Sequence, residues 1–201
     1  MIDSSTTPCQ IDQFHSDGFE IHRGLVARNV VESLMNAVEN TRNEQDSPLR
    51  GGIRNLLQTC ESVREFVLSE TMLKLAKSIV GEAVVPVRVI FFDKTPEANW
   101  GVPWHQDLNI AVNKQADVEG FGPWTIKDGV PHVVPPRKVL DQMVTMRVHL
   151  DDCGSDVGPL RVAPGTHSRG ILHSSQYPKE GIDYEPVECT AQKGDLLMMS
   201  P

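Results

Sequence analysis

Ala83-Val84-Val85-Pro86-Val87-Arg88-Val89-Ile90-Phe91-Phe92 decides the fold class, because at this stretch the chain changes character. β-branched and aromatic side chains crowd it, and the same composition returns at 108–112, 143–150, 160–163 and 196–199, with loops rich in Gly and Pro between. Upstream the pattern is helical. In 29–43, Val30, Val31, Leu34, Ala37 and Val38 fall at helical spacing, with Glu32, Asn36, Glu39 and Arg42 opposite. A second helical stretch from about Glu61 to Val80 carries Val63, Phe66, Val67, Met72, Leu73, Leu75, Ala76 and Ile79, and Gly81 follows as a stop. Before both, Phe14, Phe19, Ile21, Leu25 and Val26 around Gly18 and Gly24 predict a short strand between turns, and residues 1–10 read as a frayed end. Helices at the N-terminal end, short strands at irregular spacing and no strand–helix alternation predict a mainly β chain. The architecture expected is an antiparallel barrel or sandwich buttressed by helices, not a doubly wound sheet.

A length of 201 residues suits one domain spanning 1–201, helical to about 82 and barrel from 83 onward. Nineteen basic residues against 27 acidic ones give a net charge of -8, so no field gathers phosphate backbones and nucleic acid is excluded as a partner. No apolar run reaches the roughly 20 residues of a membrane span, and Met1-Ile2-Asp3-Ser4-Ser5 has neither a basic leader nor an apolar signal core. No membrane partner and a cytoplasmic location are therefore expected. Cys9, Cys60, Cys153 and Cys189 lie far apart without a C-x-x-C pair, which speaks against a zinc ribbon or a disulfide framework and for reduced thiols.

The chemistry gathers at Trp104-His105-Gln106-Asp107. On an extended chain His105 and Asp107, two apart, leave the same face while Gln106 points away. Imidazole plus carboxylate, with positions left open, is the ligand set of the non-haem Fe(II) facial triad. Taken alone the tripeptide also fits a surface pair or a structural hydrogen bond. A second lead is the alternating strand 143–150, where Thr145, Arg147 and His149 share one face and Val144, Met146, Val148 and Leu150 the other. Inside a barrel, Thr145 and Arg147 could hold carboxylate oxygens; outside it, they would be a solvated strand face.

Several segments in order resemble the phytanoyl-CoA dioxygenase family along nearly the whole chain. Phe14-His15-Ser16-Asp17-Gly18-Phe19 followed by Gly24-Leu25-Val26 is similar to that family's opening, and Trp104-His105-Gln106-Asp107 to its metal-binding W-H-Q-D. Gly158-Pro159-Leu160-Arg161-Val162-Ala163-Pro164-Gly165-Thr166-His167 resembles its G-x-L-x-V-x-P-G-[ST]-H segment, and Lys193-Gly194-Asp195 the turn before its last catalytic strand. The insertion from Gly120 to Val133 and the run His149-Leu150-Asp151-Asp152-Cys153 resemble an uncharacterised bacterial-type branch.

The resemblance implies a double-stranded β-helix, or jelly roll, with Fe(II) near its open end. It implies 2-oxoglutarate as cosubstrate, O2 as co-reactant, and hydroxylation of a small organic substrate. His105 and Asp107 become the metal ligands and catalytic residues, and Lys94, Gln106, Thr145 and Arg147 the candidates for the cosubstrate. Trp104 would pack the rim beside the metal, His132 face substrate, and His167 line the site as a structural or neighbouring residue rather than a ligand. By family spacing the third ligand, a His, and an Arg for the remote carboxylate of 2-oxoglutarate would fall beyond Pro201. A jelly roll incomplete at its C-terminal end is thus expected, either a truncated gene product or a naturally short relative. The alternative function is a non-catalytic jelly-roll relative that binds a small molecule or a partner. A zinc hydrolase on the same two ligands is disfavoured by the absence of H-E-x-x-H. The loop 114–136, with Phe121 and Trp124, reads as a cover over the pocket and suits many ligands; no basic cluster supports an acyl-CoA.

Overall fold

In the computed structural model, which describes residues 8–44, 52–81, 84–93, 101–177 and 184–201, Pro8 occupies the first position of a helix, where its missing N–H costs nothing. This α1 (Pro8–Asp17) takes in Phe14, which is buried and helical rather than part of a strand. Gly18, at φ 81°, ends it, and β1 (Phe19–His22) follows. The amphipathic stretch after Gly24 forms α2 (Arg28–Glu44), whose Val31, Leu34 and Val38 are buried as its spacing requires. The second helical stretch is not continuous. It divides into α3 (Leu56–Thr59), α4 (Glu61–Val67) and α5 (Glu70–Val80). The α4–α5 break falls at Ser69, extended at φ −60° and ψ 149°, and Glu70 stands in the first turn of α5, where an acidic side chain is favoured.

The stretch 83–92 forms no ladder among its described residues beyond one bridge, in which Phe91 and Ile53 exchange N–H···O bonds of 2.9 Å. Pro86 cannot donate to a neighbour, and Val85 stands exposed. The strands proper are β2 (Ile110–Ala111), β3 (Trp124–Lys127), β4 (Val130–Val133), β5 (Thr145–Val148), β6 (Leu160–Val162), β7 (Val187–Cys189) and β8 (Leu196–Met199). A one-turn helix, α6 (Arg137–Leu140), precedes β5. The expected loop 114–136 is corrected here: β3 and β4 make a hairpin whose two-residue turn, Asp128 at φ 49° and Gly129 at φ 77°, has the paired positive φ of a tight hairpin.

The strands assemble into three antiparallel sheets ordered β1-β8-β5, β2-β4-β3 and β6-β7. In the first, Leu196 and Met198 of β8 turn toward the helices, packing with Phe14, Met72, Leu75 and Met146. Leu197 turns the other way and packs with Phe19, Cys189, Leu160 and Val162. This second face is the interior of a double-stranded β-helix, between the β1-β8-β5 and β6-β7 sheets. Each fully buried Leu or Met of β8 contributes about 1.5–3 kcal/mol. On the helix side, Glu20 and His22 of β1 are also buried, with Nε2 of His22 3.0 Å from Oε1 of Glu20.

Two small motifs fasten the strands. The Asp195 carboxylate, 2% exposed, accepts from Arg23 at 2.7 Å, from the Gly24 N–H at 2.7 Å and from the Gln192 N–H at 2.8 Å. Around Gly18, the Gly165 N–H donates to the Asp17 carbonyl and the Ser200 N–H to the Gly18 carbonyl, both at 2.8 Å. The Pro-Gly-Thr-His turn, the α1–β1 turn and the end of β8 therefore meet at one point.

Candidate metal centre

Burial alternates along Trp104-His105-Gln106-Asp107-Leu108, the even positions half-buried and the odd ones exposed, so the extended backbone presents His105 and Asp107 together. Nε2 of His105 lies 3.5 Å from Oδ1 of Asp107, with the side chains 47% and 44% exposed. Nδ1 of His105 is 2.9 Å from the Pro103 carbonyl; a carbonyl only accepts, so Nδ1 carries the hydrogen and Nε2 is directed at the carboxylate. The hydrogen bond to Asp107 is the main reason the His105 pKa is pushed up to about 9. The same bond holds the Asp107 carboxyl below its ordinary value against the effect of burial, aided by the charges of His105, Arg88 and Lys127. Arg88 and Lys127 went unnoticed in the sequence. Arg88 is a lone cation inside an apolar run, and Lys127 lies in the hairpin taken for a loop.

These residues fit a divalent metal in their chemistry. An imidazole nitrogen, which gives up the proton it shares with Asp107 when a metal binds, and a carboxylate oxygen converge from one side of the chain, and the second nitrogen is anchored to a backbone carbonyl, the usual support for a metal-binding imidazole. Among the described residues no group of three or more His, Cys, Asp or Glu side chains is placed to share an ion, so the pair stands as two ligands.

The other expected site residues scatter into different roles. Gln106 braces the backbone: its amide nitrogen donates to the Gly170 carbonyl at 2.9 Å and its oxygen accepts from the Leu172 N–H at 2.8 Å. Trp104 packs edge-on against Tyr184 with ring centroids 5.4 Å apart, and the Arg161 guanidinium lies 5.7 Å from its ring. His132, 2% exposed on β4, donates Nδ1–H to the Val130 carbonyl, while its Nε2 meets no partner among the described residues. His167 donates from Nε2 to the His15 carbonyl at 3.2 Å, and its ring fills the space where a Cβ on Gly18 would sit. Thr145 and Arg147, paired in register with Met199 and Leu197, face the barrel interior. Lys94 lies outside the described residues. No helix among the described residues is long and apolar enough to cross a membrane.

Comparison with known proteins gives the fold and the family. Among solved structures the chain is similar to SnoK, a non-heme alpha ketoglutarate dependent carbocyclase from nogalamycin biosynthesis, with TM-score 0.71 at 12% identity over 100% of this chain and 76% of that one. It is similar to EctD from S. alaskensis with bound Fe, with TM-score 0.64 at 16% identity over 98% of this chain and 69% of that one. HygX from Streptomyces hygroscopicus, with nickel and 2-oxoglutarate bound, gives TM-score 0.58 at 16% identity over 98% of this chain and 78% of that one. At such identities the likeness speaks for the fold. No curated protein sequence matches this chain. Residues 14–201 match the family described as Phytanoyl-CoA dioxygenase (PhyH), a span that contains the His105–Asp107 pair and the motifs around it. The chain belongs to the phytanoyl-CoA dioxygenase family.

Proposed function

We propose that the chain is an Fe(II)- and 2-oxoglutarate-dependent dioxygenase that hydroxylates a small organic molecule. The observation that carries this reading is the convergence of His105 Nε2 and Asp107 Oδ1 within the W-H-Q-D motif of a family member. The solved structures with Fe, or with nickel and 2-oxoglutarate, support it by sharing the fold. Bound here, Fe(II) with 2-oxoglutarate would supply the oxidising power for attack on a C–H bond.

The protein's own residues would do the rest. His105 offers Nε2 because the Pro103 carbonyl holds its other nitrogen. Asp107 offers an anionic oxygen in a tripeptide kept straight by Gln106, which bonds the 170–172 segment on the opposite side. Arg147, with Thr145 beside it on the inner face of β5, offers a guanidinium to a carboxylate of the cosubstrate. Trp104 closes the rim through its contact with Tyr184.

The test is formation of succinate from 2-oxoglutarate, dependent on Fe(II) and O2, with the intact chain. Turnover abolished by H105A supports the reading. A chain that binds neither Fe(II) nor 2-oxoglutarate refutes it and leaves the non-catalytic jelly-roll relative.

A further inference from the structure

β1 carries two ionisable side chains on a face that is otherwise apolar. Its register on β8 sets Glu20 opposite Met198 and His22 opposite Leu196, so both lie with the residues that turn toward the helices. Phe14 of α1 and Met72 and Leu75 of α5 close over this face. Glu20 is 4% exposed and His22 7%, and Nε2 of His22 stands 3.0 Å from Oε1 of Glu20. A carboxylate oxygen and a bare ring nitrogen are both acceptors, so this contact is attractive only with a hydrogen between them.

The charged groups of the surrounding elements are turned outward or already engaged. His15 on α1, Glu65 on α4, and Glu70, Lys74 and Lys77 on α5 are exposed, and Arg64 pairs with Glu61. Asp17 accepts from Ser16 and Gln13, and Arg23, the residue after His22, is bonded to Asp195 and the Thr190 carbonyl. Burial is accordingly the one cause that shifts either member of the pair, Glu20 upward and His22 downward. Both groups favour their neutral forms, and a carboxyl hydrogen pointed at Nε2 serves both at once.

The strand that carries the pair is joined to the W-H-Q-D motif through the 165–172 segment. Just before β1, the Asp17 carbonyl accepts from the Gly165 N–H at 2.8 Å, and the His167 ring occupies the space beside Gly18. Farther along the same segment, the Gly170 carbonyl and the Leu172 N–H are the partners of the Gln106 side chain, between His105 and Asp107.

We propose that Glu20 and His22 share one proton and form a pH-sensitive clasp, whose loss of that proton loosens the docking of α1 and β1 and, through the 165–172 segment, the brace on Gln106. When the carboxyl gives up its proton, the imidazole hydrogen moves from Nδ1 to Nε2, and Nε2 turns from acceptor into donor. The neutral ring then offsets only part of the buried negative charge. A carboxyl raised by folding contributes stability that is lost as pH rises through its folded value, so the clasp weakens toward alkaline pH. A second proton, on His22, weakens it from the acid side by charging a buried ring.

The experiment is heteronuclear NMR of the intact, metal-free chain between about pH 5 and pH 8. It reads the His22 ring nitrogens, the Glu20 carboxyl carbon and the exchange of the Gly165 and Leu172 amide hydrogens, corrected for the intrinsic pH dependence of exchange. The amides of Ile53 and Phe91, bonded to each other's carbonyls beside α2 and α3, are the references. As Glu20 ionises, Nε2 should gain its hydrogen, and protection of Gly165 and Leu172 should fall by at least about fivefold while the references hold, the low end for a buried group left poorly paired. E20Q, whose amide donates to Nε2 at every pH, should keep Nε2 an acceptor and the protection flat. A ring that carries both hydrogens while Glu20 is ionised would mark an ion pair and overturn the shared proton. Loss of protection in E20Q equal to that in wild type would overturn the clasp. If E20Q does not fold, wild type alone decides: protection that stays constant while Glu20 ionises overturns the proposal.

Discussion

At Gly18 the absence of one side-chain carbon holds three parts of the chain together. Its φ of 81° is one that L side chains rarely adopt, and a Cβ there would run into the His167 ring. G18A should cost about 1–3 kcal/mol or more in a urea unfolding curve, with the clash adding to the backbone strain. Gln106 shows what one position in a motif can hide. Alternation in the sequence predicts that it points away from His105 and Asp107, but the partners it bonds, Gly170 and Leu172, lie more than sixty residues downstream. Q106A should therefore lower stability by about 1–3 kcal/mol through an unpaired carbonyl and N–H, and a Ni(II) titration should show weaker metal binding because the tripeptide loses its brace. The charges around Asp107 were hidden for the same reason, since Arg88 and Lys127 reach it from segments on either side of the motif.

At the scale of elements, the Lys193-Gly194-Asp195 turn fixes where β8 begins. Burial of Asp195 works against its ionisation, yet the N–H groups of Gln192 and Gly24, with Arg23, outweigh it and leave its pKa below the ordinary 3.8. A carboxyl depressed in the folded state contributes stability above its unfolded pKa and loses that contribution as pH falls through the folded one. D195A should cost about 3–5 kcal/mol at pH 7, by leaving buried donors unpaired, and its deficit relative to wild type should shrink in strongly acidic denaturation curves. Element legibility followed local chemistry. α2 and β8 were plain because a stripe of apolar side chains and an unbroken apolar run each admit one packing. The β3–β4 hairpin had a signal, Asp128-Gly129 between β-formers, which the surrounding glycines and prolines obscured. The missing ladder at 84–90 had only Pro86 to announce it, because composition records a preference for extended backbone and not the presence of a neighbouring strand.

Across the whole molecule, the buried histidines set the pH response. Burial holds His22 and His149 below their ordinary 6.5, so the unfolded chain binds more protons than the folded one as pH drops below that value. Thermal midpoints should fall from about pH 6.5 downward, and H22Q should flatten part of that slope. Glu20 behaves in the opposite sense. Burial raises its pKa, so its favourable state is the protonated one, and E20Q should raise the thermal midpoint at pH 8 more than at pH 4. The fold class was legible in the order of helical and β segments, and the family in four ordered segments. The interior polar face of β5 was legible only as a choice, inside or outside, which the register of β5 on β8 decides by turning Arg147 toward the barrel.

The most direct measurement is a calorimetric titration of Ni(II) into the intact chain and into H105A and D107A, each with 2-oxoglutarate present. If His105 and Asp107 hold the metal, wild type takes up one ion saturably and each variant loses about a hundredfold or more in affinity. Binding by H105A and D107A as tight as by wild type would contradict the account.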